Sequence, residues 1–320
     1  MPDDTIPTTA APVASNRHSR LVIAGAAAAL LLLLLTAAVV VATWTTTAPG
    51  LPATHQGTVV SASILPPQSP TTRERLLAAA DRLTAAPGDH TAGRYEYRHT
   101  RTWMLTTTGW PAPRPMTAIV TARDARSWAA ADGSGTVTAV EPDPDYTLAG
   151  ADPGYRSTEA EFRDQKVTTT RRPAGELVGL LTGAIPTDPT VLARALNALD
   201  PSRTGPEATM IDAQDLYSAR YVPLPARAAV LRMLAATRGL TFHERITDRL
   251  GRTGFAVSLD TDTRDAPALR HRLTFDPVTG QLLAYQQDLT AREPDLKVPA
   301  GQVYLYNLFI DQHRSNTIPN

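Results

Sequence analysis

The residues best suited to contact a ligand lie on one face of an alternating segment that runs from Gly93 to Leu105. Side chains of a strand point alternately to its two sides, so one face of this segment gathers aromatic and basic residues. Trp128, near the end of a later extended segment, is expected to join them. We call this set the aromatic stripe; it consists of Tyr95, Tyr97, His99, Arg101, Trp103 and Trp128.

The sequence leaves two interpretations of the aromatic stripe open. In an open half-barrel the rings would line a cleft, and their hydroxyl, imidazole and guanidinium tips would suit the head group of an amphiphile or a peptide. Aromatic side chains also bury a large apolar area, which favours a stripe that is simply core. The core interpretation is the favoured one, and the cleft is the functional alternative.

Residue sets for hydrolytic or metal-dependent catalysis are missing from the sequence. The segment around Ser134 lacks the G-x-S-x-G spacing of a nucleophile elbow, and His243 has no second His four residues later. Asp260, Asp262 and Asp265 lack the Gly and the terminal Glu of an EF-hand loop, which favours a solvated acidic loop. The sequence therefore predicts a protein that is not an enzyme, with no catalytic residues, no metal site and no cofactor.

Composition and charge exclude several classes of partner. The chain has 31 basic and 31 acidic residues, so its formal net charge of zero offers no excess positive charge to nucleic acid or to an anionic membrane surface. It contains no cysteine, which excludes a disulfide framework and a lipoprotein-type anchor. An arginine-rich and alanine-rich composition, with Lys only at Lys166 and Lys297, indicates a high-GC bacterial genome.

An uncharged apolar run from Leu21 to Val41 predicts a membrane anchor. As a helix it would be about 30 Å long, enough to cross the hydrocarbon core of a bilayer. Arg17 and Arg20 precede the run, and no Lys or Arg follows before Arg73, so the N-terminus is expected in the cytoplasm and the rest outside the cell membrane. A cleaved signal peptide is the alternative, but its apolar region would usually be only about 7 to 15 residues long.

The chain is expected to divide into four regions. They are a disordered cytoplasmic tail at 1–20, a transmembrane helix at 21–44, a linker rich in Pro, Thr and Ser at 45–70, and an extracytoplasmic domain at 71–320. The expected fold of the domain is α+β: a curved antiparallel β-sheet, forming an open half-barrel, with packed helices and a helical insertion at about 175–239. Residues 141–172 show no periodicity and receive no structural prediction.

Alternation, caps and turn residues predict the individual elements. Strands are expected at 93–105, 116–131, 136–140, 240–246, 255–259, 270–275, 281–289 and 302–310, and helices begin near 71, 189, 207 and 225. The last strand is apolar on both faces, which predicts a central position in the sheet. The helix from Pro225 to Arg238 is expected to bury Val230 and Leu234 and to expose Arg227, Arg232 and Arg238.

The order of these segments resembles that of an uncharacterised family of actinobacterial single-pass membrane proteins. The resemblance rests on the anchor, a capped helix leading into Gly93–Tyr97, the helix start Ile185–Pro189 and the closing hairpin Phe275–Leu283. It covers most of residues 71–310, and its motifs are turns and caps, so it implies an architecture and no chemistry.

The long strand set with a D-x-x-TG-x-L-L hairpin is also similar, more distantly, to the exported open-barrel domains of LolA-like lipoprotein carriers and MucB-like regulators of anti-sigma factors. This similarity implies a curved sheet wrapped over helices, with an apolar cleft for acyl chains or a partner peptide. The chain departs from the carriers in its uncleaved anchor and its helical insertion, which argues against a freely diffusing carrier.

Three functions follow as hypotheses. The first is a non-enzymatic sensor or binding domain, anchored in the membrane and linked to envelope-stress or sigma-factor regulation. The second is an anchored lipid-binding or lipoprotein-binding module, and the third, a hydrolase, has the least support. The expected partners are the lipid bilayer, through the anchor helix, and an envelope protein or amphiphilic ligand; no nucleic acid is expected.

Overall fold

The computed structural model describes residues 70–86, 89, 92–108, 117–142, 162, 165–177, 181–262, 267–292 and 298–319. The predicted tail and transmembrane helix and nearly all of the predicted linker, residues 1–69, lie outside the described residues. Among the described residues no helix combines the length and the apolar character needed to cross a membrane. The chain divides into two compact units, 1–64 and 65–320, and every described residue belongs to the second.

Nine strands form one open antiparallel sheet, which with four helices gives the predicted α+β class. The strands are β1 (Tyr95–Thr108), β2 (Thr117–Ala130), β3 (Gly135–Val140), β4 (Val167–Arg172), β5 (Thr241–Thr247), β6 (Thr253–Thr261), β7 (Leu269–Phe275), β8 (Leu282–Leu289) and β9 (Val303–Ser315). Their order across the sheet is β4-β3-β2-β1-β9-β8-β7-β6-β5, so β4 and β5 form its two edges within the described part of the chain.

Two meanders meet at the centre of this sheet. β1 to β4 run outward on one side and β5 to β9 run inward on the other, so β1 pairs with β9. The central position of β9, between β1 and β8, confirms the prediction for the last strand. β4 falls within residues 141–172, and its sequence VTTTRR is exposed at nearly every position. A strand of this kind lacks the apolar and polar alternation by which a half-buried strand is recognised.

The four helices are α1 (Thr72–Arg82), α2 (Pro189–Asn197), α3 (Gly205–Ala219) and α4 (Leu224–Ala236). The predicted capping box is present at α1, where the Thr71 hydroxyl accepts from the Glu74 amide and the Glu74 carboxylate accepts from the Thr71 amide. Asp188 caps α2 by accepting from two amides of its first turn. α2, α3 and α4 all lie between β4 and β5 in the chain.

The helices cover one side of the sheet, which we call the helix-facing side. Tyr217 of α3 packs edge-on against the rings of Phe275 and Phe309, each with its centroid 6.4 Å away. The Tyr217 hydroxyl also donates to the Gly280 carbonyl in the β7–β8 turn at 2.9 Å. Gly280 has a positive φ of 69°, as the predicted turn requires. These contacts seat α3 on the sheet and help to form the main hydrophobic core.

α1 packs mainly against α4, and its Arg75 pairs with Glu244 of the edge strand β5. One expectation about the helices is wrong. Arg227, expected to be exposed, is fully buried and forms an ion pair with Asp89. The reason lies in the packing, because α4 contacts all three other helices and every residue from Ala226 to Leu231 is buried.

Candidate functional site

The aromatic stripe lies on the side of the sheet opposite the helices. Glu96 and Arg98 of β1 contact the end of α3, so the alternating residues between and beyond them point the other way. Trp103 and Trp128 are only 3 % and 6 % exposed, and Arg101 is also buried, whereas Tyr95, Tyr97 and His99 are half-buried.

Trp103 is packed from several directions. Its ring meets those of Phe162 and Tyr306 edge-on, at centroid distances of 6.0 and 5.8 Å. The guanidinium of Arg249, in the β5–β6 turn, lies 4.5 Å from the Trp103 ring and 4.3 Å from the Tyr306 ring. The space beside these groups, which Gln302 also borders, has a volume of about 10 Å³. That is room for about one water molecule.

The rest of the stripe forms two further groups. Tyr97 lies 5.0 Å from Trp128 and 4.6 Å from the imidazole of His313, between ring centroids. Arg101 donates to Asp124 Oδ2 from Nε at 2.9 Å and from Nη2 at 2.6 Å, and His99 Nε2 lies 2.9 Å from Asp124 Oδ1. Burial acts to raise the pKa of Asp124, but the hydrogen bonds and charges of His99 and Arg101 outweigh it and lower that pKa. These contacts are those of a packed polar and aromatic layer.

A cleft of about 700 Å³ opens on the helix-facing side, at the end of the sheet where β1 begins. One wall is the β2–β3 turn, residues 129–133. A second wall is the segment 181–187 that leads into α2, and a third is the α3–α4 connection, residues 219–223. Glu96 of β1 and Arg314 of β9 form the floor. Many of the wall residues are Ala or Gly, so short side chains leave the space open.

The register of the strands brings the charged residues of the floor together. Glu96 of β1 is paired with Arg314 of β9 on one side and with Ala129 of β2 on the other. Paired residues of antiparallel strands lie on the same face with their side chains in contact range. Arg314 Nη2 donates to Glu96 Oε1 at 3.0 Å, and Arg314 lies with its guanidinium 5.8 Å from the Tyr221 ring.

Arg220 ties the floor to two walls. It is the first residue after α3, and its Nε donates to both carboxylate oxygens of Glu96 at 3.1 and 3.3 Å. Its Nη1 and Nη2 donate to the carbonyls of Leu181 and Gly183, the latter at 3.1 Å. The adjacent Tyr221 amide donates to Glu96 Oε2 at 3.0 Å. One guanidinium thus joins β1, the 181–187 segment and the α3–α4 connection.

More positive than negative charge lies around Glu96. Arg98 is the third guanidinium beside Glu96, although it does not line the cleft; it donates to the Ala219 carbonyl and lies 3.9 Å from Glu96 Oε2. Burial lowers the pKa of Arg98, although the nearby Glu96 carboxylate opposes that change. Three arginines therefore surround one carboxylate, and Asp132 at the rim supplies the only other acid among the described residues that line the cleft.

Tyr221 begins a buried series of hydrogen-bonded polar groups. The Tyr221 hydroxyl donates to Asp89 Oδ1 at 2.7 Å, and Asp89 Oδ2 accepts from the Ala86 amide and from Arg227. Burial and the Asp89 carboxylate together raise the pKa of Tyr221. Nε and Nη1 of Arg227 find no hydrogen-bond partner in the described part of the chain. These hydrogen bonds link the cleft wall to the helical core.

A second buried polar cluster lies between α3 and the sheet, and none of its members lines the cleft. His271 of β7 is fully buried, with Nδ1 2.8 Å from the Tyr285 hydroxyl and Nε2 3.3 Å from Glu207 in the first turn of α3. Burial lowers the pKa of His271, against the opposing charge of Glu207, and burial also raises the pKa of Tyr285. The cluster seats α3 on β7 and β8.

Sequence reasoning missed the residues that line the cleft. Glu96, which lines the cleft, and Arg98, which lies beside Glu96, were visible as the polar face of β1, but such a face is usually solvated. Their available signal was a carboxylate between arginines on the strand that leads out of a capped helix. Arg220 and Arg314 carry no local signal, because they reach Glu96 from more than 120 and 210 positions away.

We compared the chain with protein-family models, with curated proteins and with solved structures, and none of these comparisons found a match.

Proposed function

We propose that this chain is a single-pass membrane protein whose extracytoplasmic domain binds a ligand or a partner segment in the cleft, without catalysing a reaction. In this proposal the sheet curves around the helices as a half-barrel. The anchor at 21–44 holds the domain on the outer side of the cell membrane. Binding changes the interaction of the protein with a regulatory partner, as in sensing of envelope stress or control of a sigma factor.

The size of the cleft is the observation that carries the proposal. Ligand sites typically have volumes of about 300–1,000 Å³, and the cleft, at about 700 Å³, lies within that range. The space beside Trp103 is smaller by a factor of about seventy. The helix-facing side therefore offers the better binding site.

The contacts of Arg220 favour a sensor over a passive carrier. A ligand in the cleft would touch the 181–187 segment and the α3–α4 connection, and Arg220 of that connection donates to the Leu181 and Gly183 carbonyls and to Glu96. A change in the position of either wall would be transmitted to β1 through Glu96. Coupling of this kind requires one element with two arrangements that the ligand can bias.

An anchored lipid-binding module is the second candidate. It is favoured by the apolar side chains along the cleft walls, which include Leu177, Leu181, Ile185 and Pro223. Such walls would suit an acyl chain, and the anchor would keep the module close to its lipid source.

Native mass spectrometry of the full chain, purified from bacterial membranes, tests whether the cleft is used. Ala184 is exposed and lines the cleft, so Ala184→Trp should obstruct it. Ala236, at the exposed end of α4, does not line the cleft, and Ala236→Trp is the matched control. We expect a bound mass with the unmodified chain and the control, and its loss in Ala184→Trp at equal thermal stability.

A photo-crosslinking residue at Thr187, in the cleft wall, extends the test to protein partners. The matched position is Val278, which is exposed in the β7–β8 turn. A membrane-protein adduct formed from position 187 and not from 278 would support the sensor. The proposal fails if the bound mass survives in Ala184→Trp, or if neither a bound mass nor a position-187 adduct is found.

A further inference from the structure

We infer that the ligand of the cleft carries an anionic group, a carboxylate or a phosphate, which binds beside Arg314 on the floor. This inference rests on the proposed function, because it names the chemistry of the ligand for the same cleft. The argument has three steps: the charge of the floor, the donor that remains available there, and the shape of the walls.

The first step is the charge balance. The guanidinium groups of Arg98, Arg220 and Arg314 share the carboxylate of Glu96, and the exposed Asp132 at the rim is the second acid, so one positive charge is in excess. The three arginines and Glu96 are at most 30 % exposed, so water screens them only in part. The amino end of α4 follows the cleft wall at Pro223 and has no side-chain cap, and its dipole adds positive potential. Such a site favours an anion.

The second step is the hydrogen-bonding capacity that is left. Arg220 is engaged at all three nitrogens, and Arg98 is only 10 % exposed. Arg314 is the most exposed of the three arginines, at 30 %, and makes one good bond to Glu96 and a long contact of 3.4 Å to the Gly93 carbonyl. Its Nε donates to no group among the described residues. Arg314 is therefore the guanidinium that can bind a second anion, and carboxylates and phosphates match its planar donors.

The third step is the space around Arg314. The neighbouring wall at 129–133 consists of Ala, Asp and Gly, and the facing segment at 182–184 is Thr-Gly-Ala. These short side chains leave room for a charged group at the floor. Leu177, Leu181 and Ile185 lie along the same cleft and suit an apolar body attached to that group. The site thus fits an organic anion better than a free inorganic ion.

Isothermal titration calorimetry of the full chain with three probes of equal length tests the inference. The probes are octanoate, octyl phosphate and 1-octanol, and inorganic phosphate is titrated alone. We expect both anions to bind about tenfold or more tightly than octanol, since one charge-assisted bond supplies at least that discrimination. The order of octanoate and octyl phosphate distinguishes a carboxylate from a phosphate as the natural group.

Two variants test whether Arg314 causes the preference for anions. Arg314→Gln should bring the affinity for the anions to within about threefold of that for octanol, whereas Arg314→Lys should keep part of the preference. Arg123→Gln is the matched control, because Arg123 is an arginine of β2 that is 48 % exposed and pairs with Glu141 outside the cleft. If Arg314→Gln does not fold, the unmodified chain still decides: octanoate binding should weaken with added NaCl, and octanol binding should not.

The outcomes separate the inference from the proposed function. Equal binding of octanol and the two anions overturns the inference and leaves the cleft a binding site for neutral ligands. Preference for anions that persists in Arg314→Gln also overturns it. If no probe binds, and Ala184→Trp also changes no bound mass, the inference and the proposed function fall together.

Discussion

The two faces of β1 differ in how much space surrounds their side chains. On the side opposite the helices, Trp103 is enclosed by aromatic rings and a guanidinium, with about 10 Å³ left beside it. On the helix-facing side, Glu96 belongs to the floor of a cleft of about 700 Å³. The residues that resembled a binding face fill their surroundings, and the residues that resembled a solvated face surround the open space.

This difference has a physical cause. Large rings attract apolar neighbours and gain dispersion energy from close packing, so a row of them is readily closed by the β5–β6 turn and Phe162. A buried carboxylate needs several hydrogen-bond donors, and Glu96 obtains them from Arg220, Arg314 and the Tyr221 amide. These donors come from two different elements, β9 and the α3–α4 connection, and elements separated by long side chains leave space between them.

The largest expected effect comes from truncating the packed face. Trp103→Ala should lower the free energy of unfolding by about 3–5 kcal/mol, because it removes a buried ring and leaves a cavity. Denaturant unfolding measures this loss. Tyr95→Ala, on the same strand face but half-buried, should cost clearly less. Equal losses in the two variants would contradict the close packing described for Trp103.

Removing the charge of Glu96 should have the next largest effect. Glu96→Gln leaves three arginines around a neutral amide, and it should lower the free energy of unfolding by about 3 kcal/mol. Thermal and denaturant unfolding both report the change. Glu244→Gln removes an exposed partner of Arg75 and should leave stability nearly unchanged. If Glu96→Gln were equally neutral, the arginines would not depend on that carboxylate.

His271, on the helix-facing side away from the cleft, should make the stability of the protein depend on pH. Because burial lowers the pKa of His271, the unfolded chain binds the proton more readily, and stability is lost as the pH falls below the ordinary histidine pKa. The loss is at most about 1.4 kcal/mol per pH unit for one proton. Denaturant unfolding at pH 7, 6 and 5 should therefore show a shallower decline in His271→Gln than in the unmodified chain.

Asp212, Asp215 and Asp288 complicate the absolute pH profile, since burial raises the pKa of each, and their protonation at low pH stabilises the fold. They are present in both chains, so the difference between the two profiles isolates His271. His243→Gln, which changes a half-buried histidine, should alter the slope less. Parallel profiles for His271→Gln and the unmodified chain would contradict the prediction.

The smallest expected effect on stability comes from a variant that tests which face of β1 binds the ligand. Tyr97→Phe removes one half-buried hydroxyl and keeps the ring between Trp128 and His313, so it should cost about 1 kcal/mol or less. Ligand binding to the full chain should not change. Loss of binding in Tyr97→Phe at normal stability would move the binding site from the cleft to the aromatic stripe.

Local signals in the sequence predicted most elements well. The capping box at Thr71, the helix start at Pro189 and the Gly280 turn each depend on residues a few positions apart, and all three appear as expected. The strand at 167–172 was missed because its exposed Thr and Arg residues show no alternation. Arg227 was misplaced because the helical period places a residue on a face but does not say which neighbour will cover that face.

The sequence by itself determined the α+β class, the order of the elements and the alternation that assigns Trp103 and Glu96 to opposite faces of β1. Each of these depends on residues close in the chain, where steric limits and hydrogen bonding act directly. Only the tertiary structure decided which face is filled and which is open. That outcome depends on Arg220, Arg249 and Arg314, which reach β1 from distant parts of the chain because the meanders and helices pack together.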